Sequence, residues 1–359
     1  MTGVQDARIE RLEELLRERD LDALLITNLV NVRYLSGFTG TNGLCLVGPG
    51  VHDFLTDFRY VEQAEREVHG FRAARGRQDL LGDACALLAE AGASRVGFED
   101  HDLTVRRHAR LRALLDEEIE LAPAGQLVED LRAVKEAAEV EAIQAASDLA
   151  TDVLDGLREE GFGGRTEREV ARRLDDQMRA RGAEPAFPTI VAAGRNGALP
   201  HATPSDDPIP SGALVVVDMG AVLDGYCSDQ TRTLASGPVS ERAAEVYDLV
   251  LAAQEHALDA VVPGAGCRAV DAVAREAISA AGHGERFGHG LGHGVGLEVH
   301  EGPRLTQAAD EDERLQVGNV VTVEPGVYLA GELGVRIEDL VHVTGHGAAG
   351  LTSFPKALT

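Results

Sequence analysis

The first 125 residues alternate between helical and strand-like patterns of apolar and polar side chains. Apolar residues at helical spacing predict helices, at residues 7–20, 60–68, 80–91 and 105–115. Short apolar runs predict strands, at residues 24–26, 44–47, 54–56, 95–98 and 119–121. Residues 28–42, which contain two glycines and two threonines, are predicted to form a loop. This alternation predicts a compact α/β domain with a partly parallel sheet.

The second part of the chain begins with long helical patterns. Pro-Ala-Gly at residues 123–125 is typical of a boundary, and residues 128–157, rich in Ala, Glu and Leu, predict one long helix. Thr166 and Glu169 form a capping box that opens a shorter helix. A long helix, a glycine break and a shorter helix are predicted again over residues 240–281. The repetition indicates an internal duplication, although helix pairs of this kind also occur without one.

Glycine occupies every second position from Gly288 to Gly296, and histidines fill two of the positions between. On a strand the glycines would line one face and the histidines, His289 and His293, the other. Such glycines mark the close approach of another backbone or of a ligand. The two histidines would stand roughly 13 Å apart on a flat strand. We therefore expect one to bind a metal and the other to contact a substrate, whereas a surface or core position is the alternative for any single histidine.

A first acidic hairpin is predicted around the two-residue turn Asp224-Gly225. With that turn Asp229 faces Gly220, and Asp218 lies two residues away on the same face, so the two carboxylates are diagonal neighbours about 7–8 Å apart at the backbone. The strand that carries Asp218 is apolar and is predicted to be buried. Two carboxylates there would repel each other unless they were protonated or bound a cation.

A second acidic hairpin is predicted with its loop at residues 330–332, which places Glu324 opposite Glu338. Pro325 lacks a backbone donor and would bend the strand just after Glu324. Both glutamates lie among valines and isoleucine, where an unpaired charge is costly. The candidate ligands are then four carboxylates and one imidazole: Asp218, Asp229, His293, Glu324 and Glu338. This oxygen-rich set suits two divalent ions, with Mn²⁺ expected first and Co²⁺ or Zn²⁺ as alternatives.

Composition and charge narrow the function. The chain has 34 basic and 60 acidic residues, a net charge of −26, which argues against binding to nucleic acid or to an anionic membrane. Its four cysteines lie far apart with no Cys-x-x-Cys pair, which indicates a reducing compartment and no thiolate zinc site. The N-terminus has no apolar signal-peptide core, and no apolar run is long enough to span a membrane. We expect a cytoplasmic protein.

Together the motifs resemble those of the pita-bread metallopeptidases, the prolidases (Xaa-Pro dipeptidases) and Xaa-Pro aminopeptidases. The resemblance rests on the glycine–histidine segment and on four short motifs, at residues 217–220, 228–233, 323–328 and 335–339. It covers the whole chain. It implies an α/β (α+β) fold, with a creatinase-like N-terminal domain over residues 1–125 and a pita-bread catalytic domain with an internal pseudo-duplication over residues 126–359.

The resemblance implies a dinuclear-metal exopeptidase that hydrolyses the bond between an N-terminal residue and a following proline. Asp218 would bind one ion, His293 and Glu324 the other, and Asp229 and Glu338 would bridge the two ions, which activate the attacking water. Glu324 would also accept the proton of that water and pass it to the leaving proline nitrogen. Short proline-containing peptides would be the substrates, and the family suggests a homodimer.

Further catalytic and substrate-binding residues follow from the same resemblance. His201 would lie near the scissile bond, His300 would stabilise the carbonyl oxygen, and His289 would border the proline site. Arg336 would orient a carboxylate such as that of Asp218. Tyr328 also matches the family pattern and would contact the substrate.

Several functions remain open within this resemblance. Arg304, just after His300, could bind the carboxylate of a dipeptide and favour a dipeptidase over an aminopeptidase, or it could be a structural arginine. A creatinase-like amidinohydrolase would need no metal, and a methionine aminopeptidase normally lacks such an N-terminal domain. An inactive peptide-binding or protein-binding relative would typically have lost ligands, whereas this chain keeps all five.

Overall fold

The computed structural model describes residues 2–358 of the chain, which divides into two compact units, Met1–Arg132 and Ala133–Thr359. No helix among the described residues is long and apolar enough to cross a membrane. Each unit has hydrophobic cores of its own.

The first unit is built on a six-stranded sheet with helices between its strands. Its elements are α1 (Thr2–Glu18), β1 (Ala23–Ile26), α2 (Leu29–Ser36), β2 (Gly43–Gly48), β3 (Val51–Thr56), α3 (Val61–Glu67), β4 (Arg72–Arg75), α4 (Leu81–Glu90), β5 (Arg95–Phe98), α5 (Val105–Leu114), β6 (Glu120–Pro123) and α6 (Leu127–Ala133). The strand order is β4-β3-β2-β1-β5-β6. Strand β2 pairs antiparallel with both β1 and β3, whereas β3 with β4, β1 with β5, and β5 with β6 pair parallel. The prediction of a partly parallel sheet is therefore confirmed.

The loop predicted over residues 28–42 is wrong in its first half, which forms helix α2. Asn28 caps this helix, because its side chain accepts a hydrogen bond from the backbone N–H of Val30 at 2.9 Å. Gly37 ends it with a φ of 87°, a conformation that glycine adopts without strain. The glycines and threonines that suggested a loop thus belong to the cap and to the segment after it. Strand β4 was not predicted, because its largely exposed residues give no apolar signal.

The second unit contains two helix pairs, each followed by strands. The first half contains α7 (Ala137–Glu160), α8 (Glu167–Ala180), β7 (Glu184–Pro185), β8 (Ile190–Ala193), β9 (Leu214–Met219), β10 (Ala221–Leu223), β11 (Tyr226–Cys227) and β12 (Gln230–Ala235). The second half contains α9 (Glu241–Asp259), α10 (Cys267–Ala280), β13 (Gly292–Gly294), β14 (Glu301–Leu305), β15 (Val320–Val323), β16 (Gly326–Leu329), β17 (Leu333–Arg336), β18 (Asp339–Thr344) and β19 (Gly347–Gly350). Short 3₁₀ helices lie at Gly194–Ala198 and Gly284–Arg286.

The single helix predicted over residues 128–157 is wrong, because the chain breaks between α6 and α7. Val134 forms an isolated bridge with Asn319, and the N–H of Lys135 donates to the carbonyl of Gly318 at 2.8 Å. Glu136 then starts α7 with a capping box that includes Glu139. No glycine or proline marks the break, so a tertiary contact overrides a strong local preference for helix.

The predicted capping box of α8 is confirmed. The N–H of Glu169 donates to the Thr166 hydroxyl at 3.2 Å, and the N–H of Thr166 donates to the Glu169 carboxylate at 2.8 Å. In both halves the helix pair precedes a hairpin that is divided between two sheets. In the first hairpin β9 pairs with β12 in one sheet and β10 pairs with β11 in another. In the second, β15 pairs with β18 in one sheet and β16 pairs with β17 in another. Each half also packs its own apolar core. These shared features support the predicted internal duplication.

Both predicted hairpin registers are confirmed. In the first, Asp218 pairs with Thr231, and the register continues through the turn to pair Leu223 with Tyr226. In the second, Val323 pairs with Asp339 and Gly326 with Arg336, so the intervening Glu324 and Glu338 face each other. The strand is interrupted at Glu324 and Pro325, as the proline predicted. An isolated bridge between Thr231 and Glu338 joins the two hairpins and brings their acidic residues together.

The strand predicted through the glycine–histidine segment is correct only in its middle, at Gly292–Gly294, and is bent on both sides. There the glycines are required by close backbone contacts. A Cβ on Gly292 would lie 2.0 Å from the carbonyl oxygen of Thr322, and one on Gly294 would lie 2.0 Å from that of Gly302. The neighbouring strands β15 and β14 approach too closely for any larger residue.

Candidate metal centre

The five predicted metal ligands line one cavity of about 620 Å³ in the second unit. Asp218 lies in β9 and Asp229 directly precedes β12, while His293 lies in β13. Glu324 and Glu338 lie in the interruptions of the second hairpin. The two divided hairpins therefore deliver the four carboxylates, and the short glycine-rich strand delivers the imidazole.

His293 is oriented to offer a ring nitrogen to a cation. One ligand atom from each of Asp229, His293 and Glu338 lies within 4.8 Å of the others. The Nε2 atom of His293 lies 3.6 Å from Asp229 Oδ2 and 3.3 Å from Glu324 Oε1. Its Nδ1 atom lies 3.0 Å from the carbonyl oxygen of Gly294, which can only accept, so we assign the proton of the neutral ring to Nδ1. This leaves the lone pair of Nε2 directed toward the carboxylates.

Asp218 has one satisfied and one orphaned carboxylate oxygen. Arg336 donates from Nη2 to Asp218 Oδ2 at 2.6 Å. The other oxygen, Oδ1, is buried and has no hydrogen-bond partner among residues 2–358. A buried carboxylate oxygen without a donor is costly, and a divalent cation is the partner that this position fits. The donor set, the tautomer of His293 and this oxygen all match a metal site.

The electrostatics of the carboxylates indicate where protons reside when no cation is bound. Burial, followed by the charges of neighbouring carboxylates, raises the pKa of Asp229 and that of Glu338 well above their usual ranges. Burial also raises the pKa of Asp218, against the opposing effect of Arg336. Burial acts in the same direction on Glu324, but its hydrogen-bond contact with His293 and the charge of Arg336 leave its pKa lowered. Cation binding would therefore displace protons chiefly from the other three carboxylates.

Two further predicted site residues, His289 and Tyr328, form a chain of hydrogen bonds with Arg336. The Tyr328 hydroxyl lies 2.9 Å from His289 Nε2, and Arg336 Nη1 donates to the same hydroxyl at 3.0 Å. Burial raises the pKa of Tyr328 and lowers that of His289, so the phenol stays protonated and the imidazole is neutral near pH 7. Arg336 also donates to Asp218, so these hydrogen bonds connect His289 and Tyr328 to a candidate metal ligand.

The remaining predicted residues, His201, His300 and Arg304, are exposed side chains that line the same cavity. The ring of His300 lies at a steep angle to that of His293, with 4.4 Å between the ring centroids. Burial, aided by the charge of Arg304, lowers the pKa of His300. The Arg304 guanidinium forms no ion pair with any of the described residues. The structure thus places the predicted site residues along one cavity, except Tyr328, which is buried beside it and contacts two lining residues, His289 and Arg336.

Two sequence regions match known domain families. Residues 8–134 match the Creatinase/Prolidase N-terminal domain. Residues 141–345, more than half of the chain, match Metallopeptidase family M24. The chain belongs to metallopeptidase family M24. The family and the fold expected from the motifs are therefore confirmed.

Relatives of this M24 chain match it along nearly its whole length. The Xaa-Pro dipeptidase of Pyrococcus furiosus is 36% identical over 357 residues, covering 98% of this chain and 99% of the relative. Among solved structures, an Xaa-Pro dipeptidase from Bacillus anthracis is 38% identical, with a TM-score of 0.95 and 99% of each chain covered. An X-Pro aminopeptidase from Thermotoga maritima is 34% identical, with a TM-score of 0.87, covering 96% of this chain and 99% of that one.

Sequence reasoning missed the residues that hold the candidate metal ligands of this M24 protein in place. Thr231 donates from its hydroxyl to Glu338 Oε2 at 2.6 Å and accepts from Arg336 Nε at 3.1 Å. Arg232, only 1% exposed, donates to the carbonyl of Glu338 at 2.5 Å and pairs with Asp339 at 2.7 Å. Both residues lie in a recognised motif, but their contacts depend on the bridge between two hairpins more than 100 residues apart.

The apolar wall of the cavity was also missed. It is formed by residues of the first half of the unit, Phe187, Pro188, Ile190 and Pro200. Pro200 directly precedes the predicted site residue His201, whereas Phe187, Pro188 and Ile190 belong to no motif that could have assigned them to the site. An apolar wall beside a polar cluster is the usual composition of a pocket for a small ligand.

Proposed function

We propose that this M24 protein is an Xaa-Pro dipeptidase that uses two divalent ions. The observation that carries the proposal is the convergence of the five ligands in one cavity with exposed histidines and Arg304 at its surface. The P. furiosus and B. anthracis relatives, both Xaa-Pro dipeptidases by name, support the choice of substrate. An Xaa-Pro aminopeptidase, the name of the T. maritima relative, is the alternative.

We assign the five ligands to two ions, as the family resemblance implies. Asp218 would hold one, His293 and Glu324 the other, and Asp229 and Glu338 would contact both. Bound there, the ions would lower the pKa of water and polarise the substrate carbonyl. The orphaned Oδ1 of Asp218 supports a cation on that side, and the group of Asp229, His293 and Glu338 supports one on the other. Oxygen-rich ligation favours Mn²⁺, with Co²⁺ and Zn²⁺ as alternatives.

The side chains around this centre have distinct tasks in the proposed reaction. Glu324, whose pKa is lowered, accepts the proton of the attacking water and delivers it to the proline nitrogen. This delivery is required because an Xaa-Pro bond is a tertiary amide, whose nitrogen has no hydrogen of its own. His300 and His201 stabilise the negative charge that develops on the carbonyl oxygen as the carbonyl carbon becomes tetrahedral. His289 borders the proline ring, and Tyr328, which does not line the cavity, holds the His289 ring through its hydroxyl instead of contacting the substrate as predicted.

Arg304 supports the dipeptidase over the aminopeptidase. Its exposed guanidinium lines the cavity and has no acidic partner among residues 2–358, so it can meet the carboxylate of a bound dipeptide. In a longer peptide that position is occupied by a further peptide bond, which carries no charge.

Four expectations from the sequence also stay predictions: Mn²⁺ as the native metal, a homodimer, a cytoplasmic location, and domains at residues 1–125 and 126–359.

The proposed function is tested with chelator-stripped protein offered an Xaa-Pro dipeptide and an Xaa-Pro-Xaa tripeptide, with and without Mn²⁺. We expect Mn²⁺-dependent release of proline from the dipeptide and much slower cleavage of the tripeptide. Preference for the tripeptide would replace the dipeptidase by the aminopeptidase. Failure to cleave either substrate, with two ions bound, would overturn both and favour a peptide-binding protein.

Replacing Arg304 with methionine tests the origin of this preference. We expect the KM for the dipeptide to rise roughly 10-fold or more, the effect of losing one charge-assisted contact, with little change for the tripeptide. Arg195→Met is the matched control, because Arg195 is an exposed arginine of the same unit that does not line the cavity. An equal loss on both substrates would make Arg304 a structural residue.

A further inference from the structure

Helix α10 carries a buried ion pair that no part of the proposed function uses. Asp271 is completely buried and Arg275 lies one helical turn further along. Arg275 donates from Nε to Asp271 Oδ2 and from Nη2 to Asp271 Oδ1, both at 2.8 Å. Such a bidentate ion pair fixes the plane of the guanidinium as well as its position.

Both members of this pair also bind the backbone around His289. Arg275 donates to the carbonyl of Phe287 and to that of His289 itself, each at 2.8 Å. The N–H of Leu291 donates to Asp271 Oδ1 at 3.0 Å. Residues 287–291 form neither helix nor strand, so no ladder of backbone hydrogen bonds orients them. One ion pair instead holds three backbone groups of this segment: the carbonyls of Phe287 and His289 and the N–H of Leu291.

Ring contacts extend the same arrangement to the side chain of His289. The Arg275 guanidinium lies over the ring of Phe287, 4.2 Å from its centroid. The Phe287 ring meets that of His289 nearly edge-on, with 5.0 Å between the centroids. His289 Nδ1 lies 2.8 Å from the carbonyl oxygen of Gly290, which can only accept, so Nδ1 holds the proton of the neutral ring. Its Nε2 then accepts from Tyr328.

We infer that Asp271 and Arg275 are the positioning pair of His289: they fix its backbone so that the ring holds one tautomer and faces Tyr328 at the substrate cavity. The role of His289 beside proline rests on the proposed function, whereas the positioning of the ring does not. Helix α8 of the first half offers a contrast. Its Arg173 pairs with Glu160 at the surface, and the Arg173 side chain binds no part of the segment that carries His201.

The test uses the full-length metal-loaded protein with Arg275→Lys. Lysine keeps a positive charge beside the buried Asp271, so the fold survives, but it cannot donate to two carbonyls and two carboxylate oxygens at once. We expect kcat/KM for the dipeptide to fall roughly 10- to 100-fold, with the bound metal unchanged, because displacing a substrate-positioning group by about 1 Å has effects of this size. Arg173→Lys, the matched control on α8, should leave kcat/KM unchanged.

A double-variant comparison separates positioning from general stability. In a His289→Ala background, Arg275→Lys should change kcat/KM by less than about threefold, because its effect passes through the missing imidazole. An equal loss in both backgrounds would overturn the inference.

A spectroscopic readout covers the case in which the proposed substrate is wrong. In protein loaded with diamagnetic Zn²⁺, the ring ¹⁵N signals of His289, identified by their loss in His289→Ala, should shift in Arg275→Lys and stay in place in Arg173→Lys. Unshifted signals in Arg275→Lys would overturn the positioning role. If the unaltered protein cleaves no Xaa-Pro peptide, the proposed function fails, and this measurement still decides the inference.

Discussion

Glu324→Gln is expected to lower kcat for the Xaa-Pro dipeptide by roughly 100- to 10,000-fold while the protein stays folded, the range typical of a lost general acid–base group. Glutamine has the shape of glutamate, but it cannot accept a proton from water or deliver one to the proline nitrogen. The change also removes a negative charge from the metal site. We therefore place this effect among the largest that a single substitution can have here.

The surroundings of Glu324 explain why a carboxylate is needed at this position. Its Oε1 lies 3.3 Å from His293 Nε2 and accepts from the Thr322 hydroxyl at 3.3 Å. The pKa of Glu324 is lowered although it is largely buried, whereas those of Asp229 and Glu338 are raised. Near neutral pH it is therefore the carboxylate of this group that is most readily ionised, which is the form that can accept a proton.

Two measurements check this prediction. Steady-state hydrolysis of the dipeptide gives kcat, and metal analysis of the same samples separates a lost base from a lost ion. Glu332→Gln is the matched control, because Glu332 is an exposed glutamate in the loop of the same hairpin. A Glu324→Gln variant that binds both ions and turns over at the rate of the unaltered protein would remove Glu324 from the proposed mechanism.

The pairing of the acidic residues was predictable because short turns set it. Asp224-Gly225 fixes the first hairpin and residues 330–332 fix the second, and each register holds up to the paired carboxylates. The different positions of His289 and His293 also followed from their spacing, although the regular strand is only three residues long. Local chemistry thus determines most of the metal site.

The parts that sequence reasoning missed depend on contacts between distant segments. The two hairpins meet through Thr231 and Glu338, which are 107 positions apart, and no local sequence pattern predicts that bridge. The break between α6 and α7 depends on Asn319 in the same way. Arg275 belongs to none of the recognised motifs, and only the fold shows that it binds the segment around His289. Side chains that bind distant backbone leave no periodic signal.

Removing the metal should make the stability of the protein fall as the pH rises. Asp229 and Glu338 have pKa values well above normal in the folded protein, while in the unfolded chain they titrate near pH 4. The folded state therefore holds more protons than the unfolded state between these values. The stability that those protons provide is complete below about pH 4 and is lost as the pH rises through the elevated pKa values.

Adding the metal should reverse this trend, because cations bind the carboxylates that have lost their protons. At a free-ion concentration of 1,000 times Kd, binding adds about 4 kcal/mol to the free energy of unfolding, so the metal-induced rise in Tm should be large near neutral pH and small in acid. Thermal unfolding at about pH 5 and about pH 8, in chelator and in Mn²⁺, gives the pH dependence of Tm for the metal-free and the metal-bound protein. The two pH values lie on either side of the usual histidine pKa.

The double variant Asp229→Asn and Glu338→Gln provides the control for this prediction. Amides neither titrate nor attract a cation strongly, so both the decline in the metal-free protein and the rise with Mn²⁺ should flatten, whereas Glu332→Gln should preserve them. A metal-induced rise in Tm that is equal at both pH values would mean that ion binding displaces no protons. The two carboxylates would then already be charged in the metal-free protein, and the buried acidic cluster would need a different source of compensation.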